Sequence, residues 1–139
     1  MHGGCVCGNI RVEWGANDFS VTPRACQCGY CVAKNAAYVS RSGSIFRATI
    51  FDGAAHRVLG HGTHSAEFHE CSRCDSLVFV TAHIDNTIYG VLNSKCFSDG
   101  TNFPPPQKIS FDDETLEQRR GRWRNNWCYP VFVSVCKAQ

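Results

Sequence analysis

Apolar and polar residues alternate over short stretches through most of the chain, a period that favours strands over helices. Ile10, Val12 and Trp14 fall on one face of a predicted strand, with Arg11 and Glu13 on the other. Further strands are predicted at 37–40, 45–51, 56–59 and 65–69, separated by glycine-rich or polar breaks. Two more, at 77–80 and 87–92, flank the turn-like pair Asp85-Asn86, and a strand at 131–135 closes the chain. The run Pro104-Pro105-Pro106 makes 101–107 an irregular extended loop, because proline lacks the backbone donor that strands and helices use.

One helix is predicted, from about 112 to 127. Asp112, Asp113, Glu114 and Glu117 stand at its start, and Arg119, Arg120, Arg122 and Arg124 toward its end, an order that suits the helix dipole. Leu116, Trp123 and Trp127 share one face at helical spacing, while Gly121 weakens the helix. The expected fold is a single, mainly β domain over 1–139 with clustered cysteines at hairpin ends.

A chain of 139 residues is large enough for one real core. No apolar run approaches a membrane span. The start, Met1-His2-Gly3-Gly4-Cys5, lacks the basic and apolar regions of a secretory leader, so a cytoplasmic, reducing compartment is expected. There, clustered cysteines act as metal ligands rather than disulfides.

Seven of the ten cysteines form three tight groups: Cys5/Cys7, Cys26/Cys28/Cys31 and Cys71/Cys74. Cysteines one to three positions apart chelate one ion without long loop closure. A structural zinc takes four ligands, whereas a catalytic zinc keeps three and an exchangeable position. Seven thiols divide as four plus three, which predicts two zinc ions, one closed and one open. Seven bound thiolates and two divalent ions would bring the formal charge from +2 to about −1. General polyanion binding is therefore not indicated.

The order Gly4-Cys5-Val6-Cys7-Gly8, then a strand, then the Cys26/Cys28/Cys31 triplet resembles the glutathione-dependent formaldehyde-activating enzyme family, also called the centromere protein V/Gfa family. The Cys71/Cys74 pair extends the match, lying after Phe68-His69-Glu70 and before the apolar run at 77–80, so that the resemblance spans about 3–110. It implies a zinc-containing β-tent of twisted antiparallel sheets, here with one short C-terminal helix. It also implies that Cys5, Cys7, Cys71 and Cys74 hold a structural zinc, and that Cys26, Cys28 and Cys31 hold a catalytic one. Spacing alone does not pair the first and third groups.

The activity implied is that of a carbon–sulfur lyase, joining glutathione and formaldehyde as S-(hydroxymethyl)glutathione or cleaving that adduct. The chain departs from the family pattern after the triplet, where Val32-Ala33-Lys34-Asn35-Ala36 is one position shorter and carries a single lysine. Gln27 stands where a histidine or another polar residue is common, and Asp75 stands where glycine is usual. Two alternatives accompany this reading: the same zinc chemistry on another small thiol, carbonyl or specialised metabolite, and a non-enzymatic zinc module binding protein or chromatin. Cys96 or His69 as a fourth ligand at the triplet would favour the module.

Lys34, Arg41, Arg47 and Arg73 are candidate partners for glutathione's carboxylates, and Tyr30 a candidate proton donor or acceptor. Cys96, Cys128 and Cys136 are expected to be core or surface thiols. His56, His61 and His64 read as polar surface, with His69 near enough to Cys71 to tune a thiolate. The arginines and tryptophans of the helix suggest phosphate or base contacts less well than a solvated terminus packed on a sheet, because the acidic first turn would repel a nucleic-acid backbone.

Overall fold

The computed structural model describes residues 1–16, 19–60, 66–97, 102–111 and 113–136. Its strands are β1 (His2–Gly4), β2 (Ile10–Trp14), β3 (Arg24–Cys26), β4 (Tyr38–Val39), β5 (Phe46–Ile50) and β6 (His56–Gly60). They continue with β7 (Glu67–Cys71), β8 (Ser76–Ile84), β9 (Thr87–Asn93), β10 (Gln107–Ile109) and β11 (Val131–Val135). Two helices interrupt them, α1 (Gly29–Ala33) and α2 (Leu116–Asn126).

The strands form two sheets, in the orders β1-β2-β5-β11 and β10-β3-β4-β9-β8-β7-β6. The mainly β class is as expected, and both sheets are mixed rather than purely antiparallel. β11 runs parallel to β5, and β10 parallel to β3, each added at a sheet edge by a segment from late in the chain.

Alternation in β2 buries Ile10, Val12 and Trp14, each at most 2% exposed, against the second sheet. β8 is buried almost throughout because it is covered on both sides. Val78 and Phe79 join Phe46 and Ile50 in the core between the sheets. Val80 and Ala82 instead pack with Cys31 of α1 and with Trp123 and Trp127 at α2. β9 carries Gly90 where any Cβ would lie 2.7 Å from the Phe46 ring, so the sheets approach there only because the side chain is missing.

The Asp85-Asn86 pair turns β8 into β9 with both φ angles positive, at 52° and 63°, as two-residue hairpins require. Five elements depart from the expected pattern. β1, β3 and β10 are three residues each, too short to show a period. α1 follows Cys28 directly, where no helix is expected. α2 begins at Leu116 rather than near 112, because Thr115 and Gln118 form a reciprocal capping box. Its buried face is set by Trp123 and the following Trp127; Leu116 is 44% exposed and does not join them. No described helix is long and apolar enough to cross a membrane.

Candidate metal centres

The turn between β1 and β2 holds Cys5 and Cys7, while Cys71 ends β7 and Cys74 lies in the turn between β7 and β8. The four Sγ atoms lie within 4.8 Å of one another. Cys5 and Cys7 are 3.7 Å apart and Cys7 and Cys71 3.6 Å. A tetrahedron of sulfurs about 2.3 Å from zinc has edges of about 3.8 Å, so the donors fit that ion closely.

Backbone and side-chain donors already face these sulfurs. Ile10 N–H donates to Cys5 Sγ at 3.2 Å, and Asn9 Nδ2 to Cys71 Sγ at 3.9 Å. Burial pushes Cys5 up to about 12. Cys74 is drawn down to about 6, since hydrogen bonds from Ser76 and Cys7 outweigh the effect of burial. Sulfurs competing for protons in this way form a donor set whose charge a divalent cation neutralises. Each pair belongs to a different sheet, so an ion held here would join the two.

The second group stands on one continuous segment. Cys26 ends β3, Cys28 is the N-cap of α1 with its Sγ accepting from Cys31 N–H, and Cys31 lies inside that helix. Their Sγ atoms also lie within 4.8 Å of one another, and among the described residues no fourth cysteine, histidine or carboxylate joins them. A hydrogen bond from Cys31 draws Cys26 down to about 5, and the same contact, with burial, pushes Cys31 above the ordinary thiol range. The buried Tyr38 hydroxyl lies 3.1 Å from Cys31 Sγ. Burial keeps that phenol protonated, and its hydrogen bond works to draw the Cys31 thiol down against the other effects.

All three cysteines face a cavity of about 260 Å³. Its walls are largely apolar, including Phe68, Val80, Trp123 and Trp127, and three arginines, Arg24, Arg119 and Arg122, line it as well. Arg122 donates to both Glu114 oxygens at 2.8 and 2.9 Å and lies 3.6 Å over the Phe111 ring.

None of the cations expected to serve this site lines it. Lys34 pairs with Glu70 at 3.3 Å and Asp75 at 3.1 Å, and Arg73 pairs with Asp52 at 2.5 Å. Arg47 lies over Phe132, and Arg41 donates to Ser20. Arg119 and Arg122, expected in solvent, are only 25% and 22% exposed in their side chains. Part of the signal was present: Arg119 lies four positions before Trp123 on its helix face, and Arg122 lies three positions after Arg119.

Tyr30 turns away from the cavity and donates to Glu70. That carboxylate is 1% exposed, and it also accepts from Arg57 Nε at 2.8 Å. Asp75 adopts φ 58°, the left-handed region where glycine is usual, and its carboxylate completes the Lys34 and Arg57 network.

His69 is not aimed at Cys71. Its ring bonds His56 at 3.0 Å and Thr81 at 2.8 Å, and burial lowers its pKa to about 3. His61 and His64 lie outside the described residues. Cys96 donates to the Leu77 carbonyl at 3.3 Å, and burial, reinforced by the charges of Cys5 and Cys74, pushes it up to about 12. It therefore neighbours the four-cysteine group rather than the triplet. Cys128 is buried beside Ser44, and Cys136 is exposed.

Over residues 1–113 the chain matches the family described as glutathione-dependent formaldehyde-activating enzyme. The chain belongs to that family. All seven clustered cysteines fall within the matched stretch, whereas α2, with Arg119, Arg122 and Trp123, follows it. A crystal structure of a Rhodobacter sphaeroides protein from a structural genomics programme has the same fold. It is 19% identical, with a TM-score of 0.59, covering 78% of this chain and 100% of that one. No curated protein matches the chain.

Proposed function

We propose that this chain forms and cleaves carbon–sulfur adducts between a small thiol and an aldehyde, using zinc at Cys26, Cys28 and Cys31, while a second zinc at Cys5, Cys7, Cys71 and Cys74 is structural. The observation that carries this reading is the contrast between the two groups: four sulfurs would satisfy a zinc ion by themselves, whereas the three that line the cavity would leave it a position for another ligand.

A zinc ion held there would supply a site where a substrate thiol loses its proton near neutral pH or a carbonyl is polarised. The protein's own groups hold the geometry. Capping by Cys28 orients α1 and with it Cys31, and the Tyr38 hydroxyl donates to Cys31 and steadies its charge. Trp123, Trp127 and Phe68 line the cavity with apolar surface. In the forward direction the sulfur–carbon bond forms as the carbonyl π bond opens, and the thiol's proton ends on the former carbonyl oxygen. Cleavage reverses both changes, and no oxidant is needed.

Family membership nominates glutathione and formaldehyde as the reacting pair. The engagement of Lys34, Arg47 and Arg73 elsewhere favours a second reading, the same chemistry on a different small thiol or carbonyl. The non-enzymatic module loses the fourth ligands it would need, since Cys96 and His69 are held away from the triplet.

The test is exchange between free and S-hydroxymethyl thiols followed by NMR, with zinc-loaded protein and a panel that includes glutathione. Acceleration that disappears in Cys28→Ser supports the proposal. Rates equal to buffer for every thiol would overturn it.

A further inference from the structure

α1 is five residues long, too short to hold its shape in water by itself, so its place is set by what its side chains grip. Two of the three triplet sulfurs move with it, Cys28 as its N-cap and Cys31 within it, whereas Cys26 belongs to β3. On one side the Tyr38 hydroxyl of β4 meets Cys31. The other side is gripped from β7. There Tyr30 donates to Glu70 Oε2, and Lys34, the C-cap, pairs with the same oxygen at 3.3 Å. Tyr30 and Lys34 stand four positions apart, so one carboxylate holds both ends of the helix. β9 and β8 lie between β4 and β7 in the sheet, so α1 is clamped at two well-separated strands.

Glu70 is itself firmly held. Its side chain is 1% exposed, and Arg57 reaches it through Nε at 2.8 Å and Nη2 at 2.5 Å. Arg57 stands directly opposite Glu70 in the register of β6 and β7, and Asp75 bonds both Arg57 and Lys34. The Tyr30 ring also packs edge-on against Phe68, two positions before Glu70 on the same face of β7, with centroids 5.1 Å apart.

A carboxylate drawn out of water needs such partners, yet an apolar side chain of similar volume often stabilises a fold as well as a buried ion pair does. The distinctive effect of this network is therefore on position. Position matters at the triplet, because three sulfurs serve one ion only while their separations suit it, within roughly 0.5 Å.

We propose that Glu70 is a positioning residue for the triplet: by holding Tyr30 and Lys34 it sets where α1 places Cys28 and Cys31 relative to Cys26, and with that the affinity and geometry of a metal ion there. Glu70 does not line the cavity and acts through the helix. This rests on the reading above that the triplet holds the reacting zinc.

The test uses cobalt(II), whose visible bands report ligand geometry, added to protein carrying a single zinc ion in the four-cysteine group. Tyr30→Phe keeps the ring against Phe68 and removes the hydroxyl. It should weaken cobalt at the triplet about tenfold and shift its bands, leaving zinc affinity at the four-cysteine group unchanged. Tyr30→Phe combined with Glu70→Gln should weaken cobalt by less than the product of the two separate losses, since both act through one bond. Affinity and bands equal to wild type in Tyr30→Phe would overturn the inference even if Glu70→Gln does not fold. Losses that multiply, or an equal loss at the four-cysteine group, would overturn it as well. Thiol exchange by the zinc-loaded variants separates the two readings. Cobalt binding that depends on Tyr30, without exchange of any thiol, supports the positioning role and sinks the reaction; exchange with cobalt binding indifferent to Tyr30 does the reverse.

Discussion

Serine in place of Cys71 should cut the metal link between the two sheets. Cys7 and Cys71 Sγ lie 3.6 Å apart although 64 positions separate them in the chain. In the chain-entropy treatment, a cross-link closing a loop of that length stabilises the fold by about 4 kcal/mol. That is a large part of the ~5–15 kcal/mol typical of whole domains. With an unfolding entropy near 2.1 cal/mol/K per residue, the 139-residue chain should lose about 15 °C in Tm. Cys28→Ser makes the contrast. Its group spans a short segment already ordered by β3 and α1, Cys28 is exposed, and serine is a preferred N-cap, so α1 keeps its capping bond. The expected loss there is about 1 kcal/mol, roughly 4 °C. Circular dichroism melts of the two variants, with zinc content measured on the same samples, decide the matter. A Cys28→Ser variant as destabilised as Cys71→Ser, or a Cys71→Ser variant within a few degrees of wild type, would refute the division of roles.

Tyr38→Phe removes the hydroxyl 3.1 Å from Cys31 Sγ and should weaken zinc at the triplet about tenfold in chelator competition, leaving the four-cysteine site unchanged. Equal affinities in variant and wild type would contradict that role. Glu70→Gln takes away the buried carboxylate that holds Tyr30, Lys34 and Arg57, so α1 should loosen. It should lower Tm more than Asp52→Asn, which breaks only the exposed pair with Arg73, and a smaller effect would argue against it.

Much of this architecture is legible in the amino-acid order, for identifiable reasons. β2 shows clean alternation because one face meets the other sheet, and the long apolar run of β8 reflects cover on both faces. Three-residue strands carry no period, and β10 and β11 find their edges through contacts made across the whole chain. α1 escaped because it is five residues long and three of the surrounding positions are cysteines, whose spacing speaks of metal rather than of helix. The helix boundary at Thr115 was written in the Thr-x-x-Gln capping signal, which the acidic residues before it obscured.

The sulfur groups differ in the same way. Cys26, Cys28 and Cys31 are neighbours in sequence, so their convergence follows from spacing. Joining Cys5 and Cys7 to Cys71 and Cys74 depends on two sheets meeting, which spacing cannot express and only the family resemblance suggested. Lys34 and Arg73 lie near cysteines in sequence yet face acidic partners instead of the cavity. Arg24, Arg119 and Arg122 reach it because β3 and α2 converge there.

X-ray absorption at the zinc edge, before and after adding a small thiol, tests the central claim most directly. The claim is that one zinc is closed by four protein sulfurs and the other has three and a position open to a thiol. The protein should carry about two zinc ions, with a mean sulfur count between three and four that rises to four with the thiol. A count already at four, or one that the thiol leaves unchanged, would contradict an open reacting centre at Cys26, Cys28 and Cys31.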